Sequence, residues 1–136
     1  MRVMLDTNII ISAGIFGGGR LSQLTLMIAD KFNLVLSSAI IDELRIVIAK
    51  KFSDKASVLE RFLKRLSYEI SYTPAVIDED IYPMIRDKKD YPILASAIIA
   101  DVDILITGDK DFDPIDIERP EIMNIASFAE KYLHDV

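Results

Sequence analysis

Cysteine is missing from all 136 residues, which removes disulfide frameworks, thiolate metal sites and thiol nucleophiles together and fits a reducing compartment. Histidine is almost missing too. The single His134 lies two residues from the end of the sequence and reads as a surface residue near a fraying terminus. Long apolar runs are absent: nothing approaches the ~20 residues needed to span a bilayer. The first segment, MRVMLDTNIIISAG, carries Arg2 and a short apolar stretch like a secretion signal, but Asp6 and Asn8 interrupt it. The expectation is a soluble, cytoplasmic protein with no membrane association. Positive charge is also scarce, at 16 Lys and Arg against 22 Asp and Glu, for a net charge of −6. A protein that held nucleic acid mainly by neutralising phosphates should be basic, so coating or packaging roles are disfavoured. An acidic protein can still act on a polyanion where divalent cations locally reverse the sign of the field.

What is present is apolar: 51% of residues are hydrophobic, ample for a single domain over 1–136 to bury a core. Residues 2–5 form a short apolar run ending at a carboxylate and read as a first strand. The Gly17-Gly18-Gly19 run lacks the Lys-Ser/Thr pair of a phosphate loop and reads as a flexible connection. A helix is expected from about Leu21 to Lys31, with Leu21, Leu24 and Ile28 on one face. Asn33 to Ser37 is a second buried strand. Ser38 is placed to cap a helix to about Lys51, with Ile40, Ile41, Leu44, Val47 and Ile48 inward. A third helix turns Leu59, Phe62, Leu63 and Leu66 inward and Lys55, Arg61, Lys64 and Arg65 to solvent.

Glu69 to Thr73 alternates like a strand and stops at Pro74. A helical turn near Asp80–Ile85 leads to the charged loop Arg86–Lys89. Asp90 opens another helix with Pro92 in its first turn, burying Ile93, Leu94, Ala97 and Ile98. Asp103 to Thr107 is a fourth strand, followed by a loop at Gly108–Pro114. Glu121 to Ile125 is a fifth, and Ser127 with Glu130 has capping-box spacing for a terminal helix. Short apolar strands alternating with helices indicate a three-layer α/β/α domain with a mainly parallel five-stranded sheet.

In that architecture reactive groups collect at the carboxyl ends of the strands, near the point where strand order reverses. Asp6 ends the first strand and Asp109 lies just past the fourth. Glu43 sits early in the helix after the second strand, and Asp90 starts the helix leading to the fourth. Taken singly, Asp90 reads as an N-cap, Glu43 as a solvated first-turn acid, and Asp109 with Asp111 as turn formers. Asp6 reads differently, since a carboxylate ending a buried strand is costly unless paired or metal-bound. Together the four acids would repel without cations, and oxygen-only ligands suit Mg²⁺ or Mn²⁺. The chemistry that follows is metal-assisted phosphodiester hydrolysis. Metal-free RNA cleavage through the 2′-hydroxyl usually needs a general acid and base, commonly histidines, and this sequence lacks them.

Leu5-Asp6-Thr7-Asn8, the Asp42-Glu43-Leu44 helix start, the stretch RDKKDYPILASA from Arg86 to Ala97, and Thr107-Gly108-Asp109-Lys110-Asp111-Phe112 resemble the PIN-domain nucleases in order and spacing. Within them the sequence is most similar to the VapC-related branch of toxin components of toxin–antitoxin pairs. The resemblance covers essentially the whole chain. It implies a parallel five-stranded sheet between helices, an Mg²⁺- or Mn²⁺-dependent endoribonuclease acting on single-stranded RNA, a homodimer, and a cognate antitoxin as partner. Asp6, Glu43, Asp90 and Asp109 fall on the family's acidic quartet, as catalytic and metal-holding residues. Asn8 and Thr107 match positions that orient carboxylates or waters, and Asp111 matches a further acidic position. Asp90 takes the metal role over nearby Asp87 because it stands three residues before Ile93-Leu94-Ala95. Lys88 and Tyr91 depart from the Pro and polar residue common at those positions, which bears on loop shape more than on metal binding. Lys88 and Lys89 read as phosphate contacts or as solvated loop lysines.

Two other classes compete with this reading. A catalytically silent interaction module of the same fold would have lost metal carboxylates, and none of the four is missing. A haloacid-dehalogenase-type phosphatase needs a second Asp two residues after the first, where Asn8 stands; a receiver domain needs paired acids at the first strand. An RNA-processing nuclease with no toxin role uses the same residues, so both roles stay open.

Overall fold

A computed structural model describes residues 1–15, 19–73, 91–108, 117 and 119–133, with the side chains of residues 91 and 92 outside that set. Five strands form the sheet: β1 (Arg2–Leu5), β2 (Asn33–Ser37), β3 (Glu69–Ser71), β4 (Ile104–Ile106) and β5 (Glu121–Met123). Their order is β3-β2-β1-β4-β5, and every pairing is parallel. Six helices accompany them among the described residues: α1 (Thr7–Ile15), α2 (Arg20–Lys31), α3 (Ser38–Lys51), α4 (Ala56–Arg65), α5 (Tyr91–Ile99) and α6 (Ile125–Tyr132). No single helix among the described residues is long and apolar enough to cross a membrane.

The three central strands explain the burial. Successive strand residues point to opposite faces, yet Val3, Met4 and Leu5 are all fully buried, as are Leu34 to Leu36 and Ile104 to Ile106 within 2%. Both faces are therefore covered, the condition under which a parallel strand reads as an unbroken apolar run. The edge strands β3 and β5 keep exposed glutamates at Glu69 and Glu121. Phe128 of α6 is fully buried and meets Phe32 edge-on, with ring centroids 5.6 Å apart.

The helix α1 has no counterpart in the sequence reading. Residues Ile9, Ile10 and Ile11 favour strands by intrinsic propensity, and a helix buried nearly all round shows no 3.6-residue period. Burial overrides propensity: the Asp6 carbonyl accepts from the N–H groups of Ile9 and Ile10, and the helix sinks into the core. Gly14 permits its closest approach, since a Cβ there would stand 2.9 Å from Phe62 Cδ2 and 3.2 Å from Leu59 Cδ1 of α4.

Two caps also shift. Ser37, not Ser38, caps α3, its hydroxyl accepting from Ile40 N–H at 3.1 Å. The Ser38 hydroxyl instead accepts from Thr73 N–H. Asn124, not Ser127, caps α6 by accepting from Ser127 N–H. The strands end earlier than their apolar runs, at Ser71, Ile106 and Met123, and Ile98 is only half-buried. The expected turn at 80–85 and most of the loop at 108–114 lie outside the described residues.

Candidate active site at the carboxyl edge of the sheet

Strand order reverses beside β1: the chain steps outward to β2 and β3, then returns to the other side of β1 with β4. At such a switch point the connections leave in opposite directions and open a crevice at the carboxyl ends. The register Leu5↔Ile106 puts the next residues, Asp6 and Thr107, side by side at its mouth. Asp6 N–H donates to the Ile106 carbonyl and Thr107 N–H to the Met123 carbonyl, so the ladder fixes both backbones.

Asp6 is 5% exposed, and the fold provides for its charge. Thr107 donates its hydroxyl to Asp6 Oδ2 at 2.7 Å, and the Thr7 N–H donates to Oδ1 at 2.7 Å. Asp6 also sits at the amino end of α1, where the helix dipole favours an anion. Hydrogen bonds to an ionised group are the strong ones, about twice neutral bonds. The sequence expectation that a strand-end carboxylate must be compensated is met by these donors.

Glu43 joins from α3. It lies in the second turn of that helix rather than the first, and it is not simply solvated: Thr7 donates its hydroxyl to Glu43 Oε2 at 3.1 Å. Although Glu43 as a residue remains exposed, the protein around its carboxyl removes enough water to raise its pKa. The Thr7 hydrogen bond lowers the pKa against this, and the negative Asp6 raises it further. Asp6 and Glu43 therefore sense each other, and no cation among the described residues compensates Glu43.

Thr7 is the residue the sequence reading left unassigned. It is 1% exposed and touches both acids, one with its backbone and one with its side chain. The available signal was a threonine opening an otherwise apolar segment directly after a strand-end carboxylate. Asn8, expected to orient the carboxylates, is exposed in α1, whereas Thr107 meets Asp6 as described above. Asp90, Asp109, Asp111, Lys88 and Lys89 lie outside the described residues, as does Asp87; α5 begins at Tyr91, directly after Asp90.

A second polar cluster lies at the same edge, where Thr73 and Ser96 hydroxyls stand 2.6 Å apart and Thr73 N–H reaches Ser38. It ties the end of β3 to the start of α3 and to α5. At the opposite edge Arg2 bonds Glu69 and the Ala100 carbonyl, and Arg119 pairs with Asp101 and Asp103. The acids there have arginine partners.

Among the described residues no three histidine, cysteine or acidic side chains form a metal-sized group. Asp6 and Glu43 nevertheless fit a hard divalent cation: both supply only oxygen, Thr7 links them, and among the described residues Glu43 has no counter-charge.

Comparison with known proteins gives the fold and the family. A chain of the VapBC2 complex from Rickettsia felis, solved bound to a DNA fragment from their promoter, matches this fold with a TM-score of 0.67 at 23% identity. The match covers 91% of this chain and 98% of that one. No curated protein matches the chain. The family model described as PIN domain matches residues 2–111, which include all of β1 and β4 and Asp6 at the carboxyl end of β1. The chain belongs to the PIN domain family.

Proposed function

We propose that this chain is an endoribonuclease that uses Mg²⁺ or Mn²⁺ to hydrolyse single-stranded RNA, as the toxin component of a toxin–antitoxin pair. The observation that carries the reading is the Asp6–Thr7–Glu43 arrangement at the sheet's switch point. Membership of a family whose members are in general nucleases supports it. The shared fold with a chain of a VapBC2 complex supports the toxin role and a protein antitoxin as partner.

Asp6 and Glu43 would hold the cation, with Asp90 and Asp109 completing the acidic set and Asp111 beside it. A bound divalent ion supplies Lewis-acid charge and lowers the pKa of water for in-line attack on the phosphodiester. Thr107 and the Thr7 N–H keep the Asp6 oxygens oriented, so little reorganisation is needed when the site is charged. Asn8 is assigned to ordering water near the acids, and Lys88 and Lys89 to RNA phosphates. Hydrolysis by water leaves a 5′-phosphate and a 3′-hydroxyl. The active form is read as a homodimer in the cytoplasm.

The test is cleavage of a single-stranded RNA in Mn²⁺ by wild type, Asp6→Asn and Asp90→Ala, each checked for a native melt. Both variants should lose cleavage while keeping the fold. A folded Asp6→Asn protein that cuts at the wild-type rate would overturn the assignment.

A further inference from the structure

In the proposed site the Thr7 N–H has a task at Asp6, and its side-chain hydroxyl is given none. Thr7 is 1% exposed, and its hydroxyl could have capped α1 or bonded a nearby carbonyl. It reaches across to Glu43 on α3 instead, 36 positions along the chain. The same residue gives its N–H to Asp6. Among the described residues it is the only hydrogen-bond partner of the Glu43 side chain.

We infer that Thr7 is a positioning residue that holds Glu43 at a fixed place relative to Asp6, so that the two acids present one preformed oxygen pair to a divalent cation. The inference rests on the proposed metal-dependent reading. The physical need is plain. Glu43 has three rotatable side-chain bonds and an exposed outer edge, and the Asp6 charge pushes it away. A lone glutamate in that field turns to solvent. Thr7 is suited to oppose this because it is β-branched, with one stiff side-chain torsion, and because burial locks its methyl group. Its donor is therefore aimed before any cation arrives. Its backbone N–H is held in the same frame, since it opens α1 directly behind Asp6. Outer-shell hydrogen bonds of this kind typically carry about 10- to 100-fold in metal affinity.

Thr7→Val keeps the shape and removes the donor; Thr7→Ser keeps the donor and removes the methyl lock. The readout is Mn²⁺ affinity by electron paramagnetic resonance titration of the full chain, without RNA. Thr7→Val should weaken Mn²⁺ binding by about 10-fold or more, and Thr7→Ser should recover most of the loss. In a Glu43→Ala background Thr7→Val should add no further loss, because its effect runs through Glu43. A merely structural threonine would lower the melting temperature and leave that cycle additive. If wild type binds Mn²⁺ and Asp6→Asn abolishes it, yet folded Thr7→Val binds like wild type, the positioning role fails while the metal reading stands. If wild type binds no Mn²⁺ at millimolar concentration, the metal reading fails and the role of Thr7 falls with it.

Discussion

Thr107→Val removes one atom's chemistry from the crevice and leaves the shape. The hydroxyl it deletes donates to Asp6 Oδ2 at 2.7 Å, with Thr107 4% exposed and Asp6 5% exposed. Water has little access to replace that donor. A hydrogen bond to a charged group contributes about 1.5–3 kcal/mol, and a buried acceptor that loses its partner keeps its desolvation cost. The new methyl faces a carboxylate, so little apolar gain offsets the loss. For a chain of this size about 1 kcal/mol corresponds to roughly 3–5 °C in Tm. Thr107→Val should therefore melt about 5–15 °C below wild type at neutral pH, and Thr107→Ser should recover most of the difference. Calorimetry without added metal reads this directly. A Thr107→Val melt coinciding with wild type, or a Thr107→Ser melt as low as Thr107→Val, would refute the claim that the hydroxyl stabilises a buried charge.

Gly14→Ala sets a helix gain of about 1 kcal/mol against over-packing of about 1–3 kcal/mol, because the added Cβ would stand 2.9 Å from the Phe62 ring. Urea unfolding should show a net loss, and a stabilised variant would mean that α1 and α4 are not in close contact. Glu43 supplies a pH dependence. Its folded pKa is raised above the ordinary 4.5, chiefly by desolvation, so the native state holds its proton longer than the unfolded chain. Stability from this group is then fully present below the ordinary value and lost as pH rises through the raised one. Metal-free Glu43→Gln should be more stable than wild type at pH 7, with the gap closing as pH falls through the raised value toward 4.5; a gap that widens on acidification would reverse the sign of the effect.

Legibility in the sequence followed the physics of each element. The central strands could be read because a parallel strand buried on both faces is an unbroken apolar run, as Val3-Met4-Leu5 and Ile104-Leu105-Ile106 are. The helix α1 could not be read, because burial on nearly every side erases the amphipathic period, and three isoleucines point toward a strand. Ser37 and Ser38 are equally good caps by chemistry, and only the end of β2 decides which one stays extended. In the site, Asp6 stood out because an ionised group ending a core strand demands donors, and Thr107 and Thr7 supply them. Glu43 looked like an ordinary helix acid because its link to Asp6 passes through Thr7, a tertiary contact between α1 and α3. Asp90 and Asp109 were assigned by motif alone, and they lie outside the described residues.

The central claim is that the acids at the carboxyl edge support hydrolysis of RNA by water with a divalent cation. Its most direct test is a Mn²⁺ titration of single-stranded RNA cleavage with the product ends identified. Cleavage should rise from nothing in chelator to saturation in Mn²⁺, leaving 5′-phosphate and 3′-hydroxyl ends. Cleavage that persists in chelator, or products ending in 2′,3′-cyclic phosphate, would contradict it.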